Sequence, residues 1–323
     1  MRFIFVLGQM FLILLLSGCA QFAGPYYLNH GEFEDGISVL SEELRKDPED
    51  ATAAYYLGRY YLALGEPEQA VSFLQVAAKL EPDNSDYRFW VGVACWALDD
   101  FKEEQENYKR ALSIDGDNIS ANLYLAHSYL DEGKLDQALA LYDKVLKMDT
   151  YNPQALYNRA DILTRQGKRD SALKEWKAFL EYYPDGSLAV YGTEQLNRLG
   201  DFTYRNFILG NRNVTLRAIR FRQGSTKSDL EGNLSLRVLS AIMESDKDSA
   251  FHIVSYCKGD AALAEERAKK IKAHILNAHP GIDSGRLPLS WFGVPEKVKR
   301  KGQTYSLDDS IRFITVLKQE NPS

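Results

Sequence analysis

Three cysteines and five histidines are the side chains of this 323-residue chain best suited to nucleophilic or metal chemistry, and their spacing decides whether they do any. His30, His127, His252, His274 and His279 are scattered; His274 and His279 stand five residues apart and complete no metal-binding motif, so no metal site is expected. The chain has no phosphate-cradling glycine loop, no H-E-x-x-H and no C-x-x-C. Gly224-Ser225-Thr226 lacks the strand-to-helix elbow that exposes a hydrolase serine. Cys95 and Cys257 fall in different expected domains and read as small buried apolar residues, not as a disulfide. The chain is therefore expected to be no enzyme and to need no cofactor.

Cys19 stands apart. Arg2 precedes an apolar run, Phe3 to Leu16, that is too short for an ordinary membrane span, and the run ends in Leu16-Ser17-Gly18-Cys19. This resembles the bacterial lipobox. The resemblance implies a signal peptide over residues 1–18, a diacylglyceryl thioether and an acylated amine on Cys19, and a lipidated tether over residues 19–24. Each buried methylene contributes about 0.8 kcal/mol, and more than one acyl chain gives stable anchoring. Ala20 and Gln21 follow, without the aspartate that resembles an inner-membrane retention signal. The expected location is the outer membrane, lipid-anchored and facing the periplasm, with the membrane as partner through Cys19.

The elements that position everything else show themselves as a repeat of 34 residues. Blocks starting at residue 51 align Gly58, Gly92, Ala126 and Ala160, where small residues let two helices approach. The turn column holds Gly65, Asp99, Gly133 and Gly167, and the next small column holds Ala70, Glu104, Ala138 and Ala172. Further columns hold Leu74, Tyr108, Tyr142 and Trp176, then Ala77, Ala111, Val145 and Phe179. Over about residues 51–184 this resembles the tetratricopeptide repeat (TPR) family. Residues 31–48 keep the register as the second half of a preceding repeat, and a helix from Ser187 to Leu199, with Leu188, Tyr191, Gln195 and Leu196 on one side, is expected to cap the open end. About four and a half repeats and this cap make a solenoid over residues 25–200. Asp99 and Glu104 replace the usual glycine and alanine, so the second block is expected to be the least regular.

The resemblance implies a ligand-binding concave face built from the first helix of each pair. On it the register places Tyr55, Arg59, Phe89, Trp96, Leu123, His127, Tyr157 and Asp161, large aromatics beside a few charges, which suit a protein or peptide partner. Some of these residues, Trp96 among them, would pack between repeats if the face were less open. The lysine and asparagine cluster with which some TPR domains grip a C-terminal carboxylate is absent; Tyr55, Arg59, Trp90 and Ser120 occupy those positions.

After Asp201 the period changes. Residues 201–213 are expected to be a linker. Val214 to Phe221, Phe251 to Tyr256, Arg286 to Phe292 and Ile311 to Leu317 read as strands, and Asp229 to Met243 and Ala261 to Ala278 as helices, the latter capped by Asp260. The order βαβαββ is that of a compact α+β domain over residues 214–318, with residues 319–323 as a tail. Leu263-Ala264-Glu265-Glu266-Arg267-Ala268, Gly281 to Leu287, and Phe221 with Ser225 resemble motifs of the OmpA-like domain, which holds outer-membrane proteins to peptidoglycan. The expected fold is an all-α TPR solenoid followed by this smaller α+β domain. The resemblance implies Arg267 as the ligand arginine and leaves Asp260 as the nearest carboxylate. The family's threonine-aspartate pair is missing after Tyr256, and its N-R-R run is Asp308-Asp309-Ser310 here. Docking with residual weak peptidoglycan contact is therefore expected rather than a firm cell-wall tether, which stands as the alternative.

Composition agrees with two folded parts, since 45% of residues are hydrophobic and 26% charged. Residues 1–200 carry 19 basic and 31 acidic side chains and residues 201–323 carry 20 and 14, a net −12 against +6. No basic run is interleaved with stacking aromatics, so no nucleic-acid partner is expected. The whole reads as an outer-membrane scaffold or adaptor for protein partners.

Overall fold

The computed structural model describes residues 19–316; the expected signal peptide, residues 1–18, and the tail, residues 319–323, lie outside the described residues. The chain divides into two compact units, one up to Ala155 and one from Leu156 onward.

The first unit is a row of helical pairs: α1 Cys19–His30 with α2 Phe33–Lys46, α3 Ala51–Ala63 with α4 Pro67–Leu80, α5 Ser85–Ala97 with α6 Phe101–Ile114, and α7 Ile119–Asp131 with α8 Leu135–Met148. Each pair is punctuated the same way. Asp50, Asn84 and Asn118 cap α3, α5 and α7 by accepting backbone N–H groups of the first turn. Gly31, Gly65, Asp99 and Gly133 turn the chain between helices with φ of +72°, +76°, +58° and +73°. That left-handed conformation is open to glycine and costs an L side chain, so Asp99 carries a small local strain. The small column earns its place by contact: a Cβ on Gly58 would lie 2.4 Å from Leu74, and one on Gly92 2.5 Å from Tyr108. Leu74, Tyr108 and Tyr142 are completely buried.

Two expectations are corrected here. The second block is as regular as its neighbours, with α5 and α6 matching α3 and α4 in length, because Asp99 adopts the glycine conformation and Glu104 is accommodated in the interior. Residues 19–24 are not a free tether. They open α1, where Ala20 packs in a cluster with Leu40, Leu57 and Tyr60, and the Tyr60 hydroxyl donates to the Gly24 carbonyl at 2.7 Å. The half repeat upstream is thus a complete pair, which covers apolar surface that α3 would otherwise expose.

The second unit opens with α9 Pro153–Arg165, which begins three residues before it, α10 Arg169–Tyr182 and α11 Ser187–Arg198. The remainder is mixed: the hairpin β1 Tyr204–Leu209 and β2 Arg212–Arg217, α12 Leu230–Ser245, β3 Ala250–Cys257, α13 Ala261–Ala278, a short 3-10 turn Ser284–Arg286, β4 Leu289–Phe292, the hairpin β5 Glu296–Arg300 and β6 Gln303–Leu307, and β7 Asp309–Val316. β3 is central, parallel to β4 and antiparallel to β7, with Ile253 opposite both Leu289 and Phe313. Phe207, Leu209, Leu216, Leu239, Phe251 and Ile271 belong to one core that joins the first hairpin, both helices and the sheet.

The expected linker, residues 201–213, is therefore mostly strand. Tyr204, Phe207 and Leu209 are buried, and Gly210-Asn211, with φ +62° at Gly210, is a two-residue hairpin turn. β1 is also fastened to α11: the Asn197 side chain donates to the Tyr204 carbonyl at 2.7 Å and Asn206 donates to the Val190 carbonyl at 2.8 Å. α11 buries Ala189, Gly192, Thr193, Gln195 and Leu196, with Gly192 close against Trp176 of α10; of the four residues expected on its packing side, Gln195 and Leu196 are buried, whereas Leu188 and Tyr191 are exposed. Three strands were not expected: β1 before the domain, and the hairpin of β5 with β6, whose turn is Lys301-Gly302 at φ +44° and +80°.

Candidate functional site

In the first unit, α3 and α5 bring together three aromatic side chains and one guanidinium. Arg59 lies over the Trp90 ring at 3.5 Å and donates to the Tyr55 hydroxyl at 2.6 Å; Tyr55 in turn stacks on Tyr87 at 4.8 Å. Arg59, Tyr55 and Trp90 are all half-buried. A guanidinium held flat against an indole is fixed in direction, and no carboxylate pairs with Arg59 among the described residues. Trp90 supplies the platform. The register puts Trp90 with Tyr55 and Arg59 at positions that some TPR domains use to grip a carboxylate; an aromatic on the next first helix from an arginine is the signal that marks it as a platform.

The other expected groove residues separate into two kinds. Trp96 is 55% exposed at the end of α5 and free to meet a partner. Phe89 and Leu123 are buried, Phe89 stacking on Tyr108 at 5.6 Å and meeting Tyr124 edge-on, so they pack between repeats and line no open surface. His127 is half-buried between Tyr124 and Tyr142, and burial shifts its pKa below the usual value. In the second unit, Tyr157 sits half-buried among Trp176, Phe179 and Tyr191. Asp161 is buried and paired with Arg165 at 2.7 Å, which removes it from a partner-facing role.

A family model for the tetratricopeptide repeat matches residues 23–85, 59–119 and 123–176. The helical pairs are tetratricopeptide repeats. Among solved structures, PilF of Pseudomonas aeruginosa aligns at 18% identity over 57% of this chain and 84% of its own, with a TM-score of 0.53. PilW, described as a widely conserved type IV pilus biogenesis factor, aligns at 18% identity over 56% of this chain and 86% of its own, with a TM-score of 0.50. These likenesses establish the TPR fold. No curated protein matches the chain in sequence.

The residues resembling the OmpA-like motifs have definite partners. Arg267 on α13 is 1% exposed; Nε donates to the Ser225 carbonyl at 3.0 Å and Nη1 to Asp309 Oδ1 at 2.9 Å, with Phe221 beneath the guanidinium at 4.6 Å. A ligand carboxylate would have to take the place that Asp309 holds. Asp260 accepts the Leu263 N–H at 2.8 Å and serves as the α13 cap, exposed to solvent and aimed at its own helix. Arg286 donates to the carbonyls of Met243, Asp246 and Ser249, closing the C-terminal end of α12. Cys95 and Cys257 are buried and unbridged. Among the described residues no cluster of three or more histidine, cysteine or acidic side chains has metal-site geometry, and no helix is long and apolar enough to cross a membrane.

Proposed function

We propose that this protein is a lipid-anchored scaffold of the bacterial outer membrane, facing the periplasm, which captures a protein partner on its TPR helices and uses its C-terminal α+β part for docking. TPR proteins are interaction scaffolds, and the finer reading rests above all on Arg59: a guanidinium held over Trp90 and aimed by Tyr55, with no carboxylate of its own, is built to receive one from outside. Trp96, exposed farther along α5, adds apolar contact area of the kind that dominates peptide recognition. The partner is thus an extended or helical segment that presents an acidic residue next to apolar ones. Leu16-Ser17-Gly18-Cys19 supports the anchor. The occupied state of Arg267 supports docking over a peptidoglycan tether, because the group that would hold a cell-wall carboxylate already holds Asp309.

The test is capture from native membrane extracts on the immobilised chain from residue 19 onward, comparing wild type with Arg59→Ala and Trp90→Ala. Both variants are expected to keep wild-type helicity by circular dichroism and to lose the same specific partner. Retention of every wild-type partner by both variants overturns the reading.

A further inference from the structure

A cavity of about 430 Å³ in the second unit lies outside the TPR site. It is lined by the loop Gly200 to Phe202, by Arg205, by Ala218 to Phe221, and by Leu307 and Asp309 to Ile311. Its walls alternate in character. Phe202, Ile219, Phe221 and Ile311 supply apolar surface, while four charged residues, Asp201, Arg205, Arg220 and Asp309, stand among them.

Three of those charges are already neutralised. Arg205 makes a two-pronged ion pair with Glu296, both distances 2.8 Å. Asp201 pairs with Lys177 and accepts the Thr203 N–H at 2.8 Å. Asp309 is held by Arg267 at 2.9 Å. Arg220 differs: its Nη2 donates to the neutral Thr203 hydroxyl at 2.8 Å, it has no carboxylate partner among the described residues, and it is exposed at the cavity. The cavity therefore offers one uncompensated positive charge beside an aromatic and aliphatic wall. A carboxylate entering without such a cation would lose its hydration with nothing in return, and a guanidinium can meet it with two parallel donors.

We infer that this cavity binds the carboxylate of a molecule whose adjoining part is apolar, Arg220 taking the carboxylate and Phe202, Ile219 and Ile311 the apolar part. Two sources carry that chemistry: a small free acid, and the C-terminus of a peptide ending in an apolar residue. Its size, enough for one large residue with its backbone, is compatible with either.

The probes are N-acetyl-phenylalanine and the peptide Gly-Gly-Gly-Phe, each as free acid and as terminal amide, titrated by calorimetry into the chain from residue 19 onward. At least one free acid is expected to bind saturably, its amide at least tenfold more weakly. Arg220→Gln is expected to cost at least tenfold in affinity for the acid and Arg220→Lys less, with thermal midpoints unchanged because Arg220 is exposed. Binding of N-acetyl-phenylalanine but not the peptide assigns the cavity to a small acid; tighter binding of the peptide assigns it to a chain end. Absence of saturable binding by both acids, equal binding of acid and amide, or full affinity in Arg220→Gln overturns the inference.

Discussion

Arg205 and Glu296, 91 residues apart in sequence, meet as a buried, two-pronged ion pair that fastens β1 to β5. Ser310 donates to the same carboxylate at 2.7 Å, so both oxygens of Glu296 are occupied. Burial alone would raise the Glu296 pKa, but Arg205 and Ser310 outweigh it and hold the group below the usual carboxylate range. Glu296→Gln is expected to cost about 3–5 kcal/mol in urea unfolding, since Arg205 is left buried and unpaired. Replacing both residues by leucine is expected to cost less than the single change. Additive losses would show that the two residues act separately. The sign with pH follows from the lowered pKa: the contribution is complete above the unfolded-state value and is lost as pH falls through the folded one.

This pair also marks the limit of what was legible in the sequence. The TPR helices declared themselves because each contact that specifies them is local and recurs every 34 residues, so Gly58 and Leu74, or Gly92 and Tyr108, could be matched as columns. α12, α13 and β3 were visible from period and capping. β1 and β5 were not. Their alternation is short, and their burial comes from α11 and from the Arg205–Glu296 contact, which no local pattern encodes. Gly210-Asn211 and Lys301-Gly302 were the available signals, since both supply the positive φ that tight hairpins need. The groove was half legible for a related reason. Register tells which side of a helix a residue occupies, while the neighbouring aromatic decides whether Phe89 is covered or Trp96 is left open.

Glu104 provides a pH dependence of the opposite sense. It fills a position where the repeat favours alanine, is 3% exposed, and burial raises its pKa to about 7, with Ser128 as a weak donor that opposes the shift. Below the unfolded-state value of 4.5 the group is protonated in both states and costs nothing. As pH rises toward 7 the unfolded chain ionises first, so folding is penalised, by an amount on the order of 3 kcal/mol above pH 7. Glu104→Gln is expected to raise the thermal midpoint at pH 8 and to leave it nearly unchanged at pH 4. An equal shift at both values would assign the effect to packing.

The proposed lipid anchor predicts a fractionation result. Cys19→Ser, expressed with its signal segment, is expected to move from the membrane pellet to the soluble fraction. Ala20 is buried against Leu40 and Leu57, so acyl chains on Cys19 would hold the first TPR pair close to the bilayer without slack. Undiminished membrane partition of the variant would remove the lipoprotein reading and leave the TPR assignment untouched.

The final prediction concerns the cell wall, and the structure dictates the sample. A fragment cut at residue 201 would strip α11 from β1 and break the hydrogen bonds from Asn197 and Asn206, so the chain from residue 19 onward is the proper one. With Asp309 holding Nη1 and the Ser225 carbonyl holding Nε, Arg267 has its strongest donors committed. Sedimentation with purified peptidoglycan is expected to show no saturable pelleting. Arg267→Ala is expected to destabilise the protein by about 2 kcal/mol, because buried acceptors lose a charged donor. Asp309→Asn separates the two roles: it weakens the internal pair while keeping Arg267 charged, and any peptidoglycan affinity latent in that arginine should then appear. Saturable pelleting of wild type that Arg267→Ala abolishes, with the protein still folded, would restore the tether and set aside the docking role.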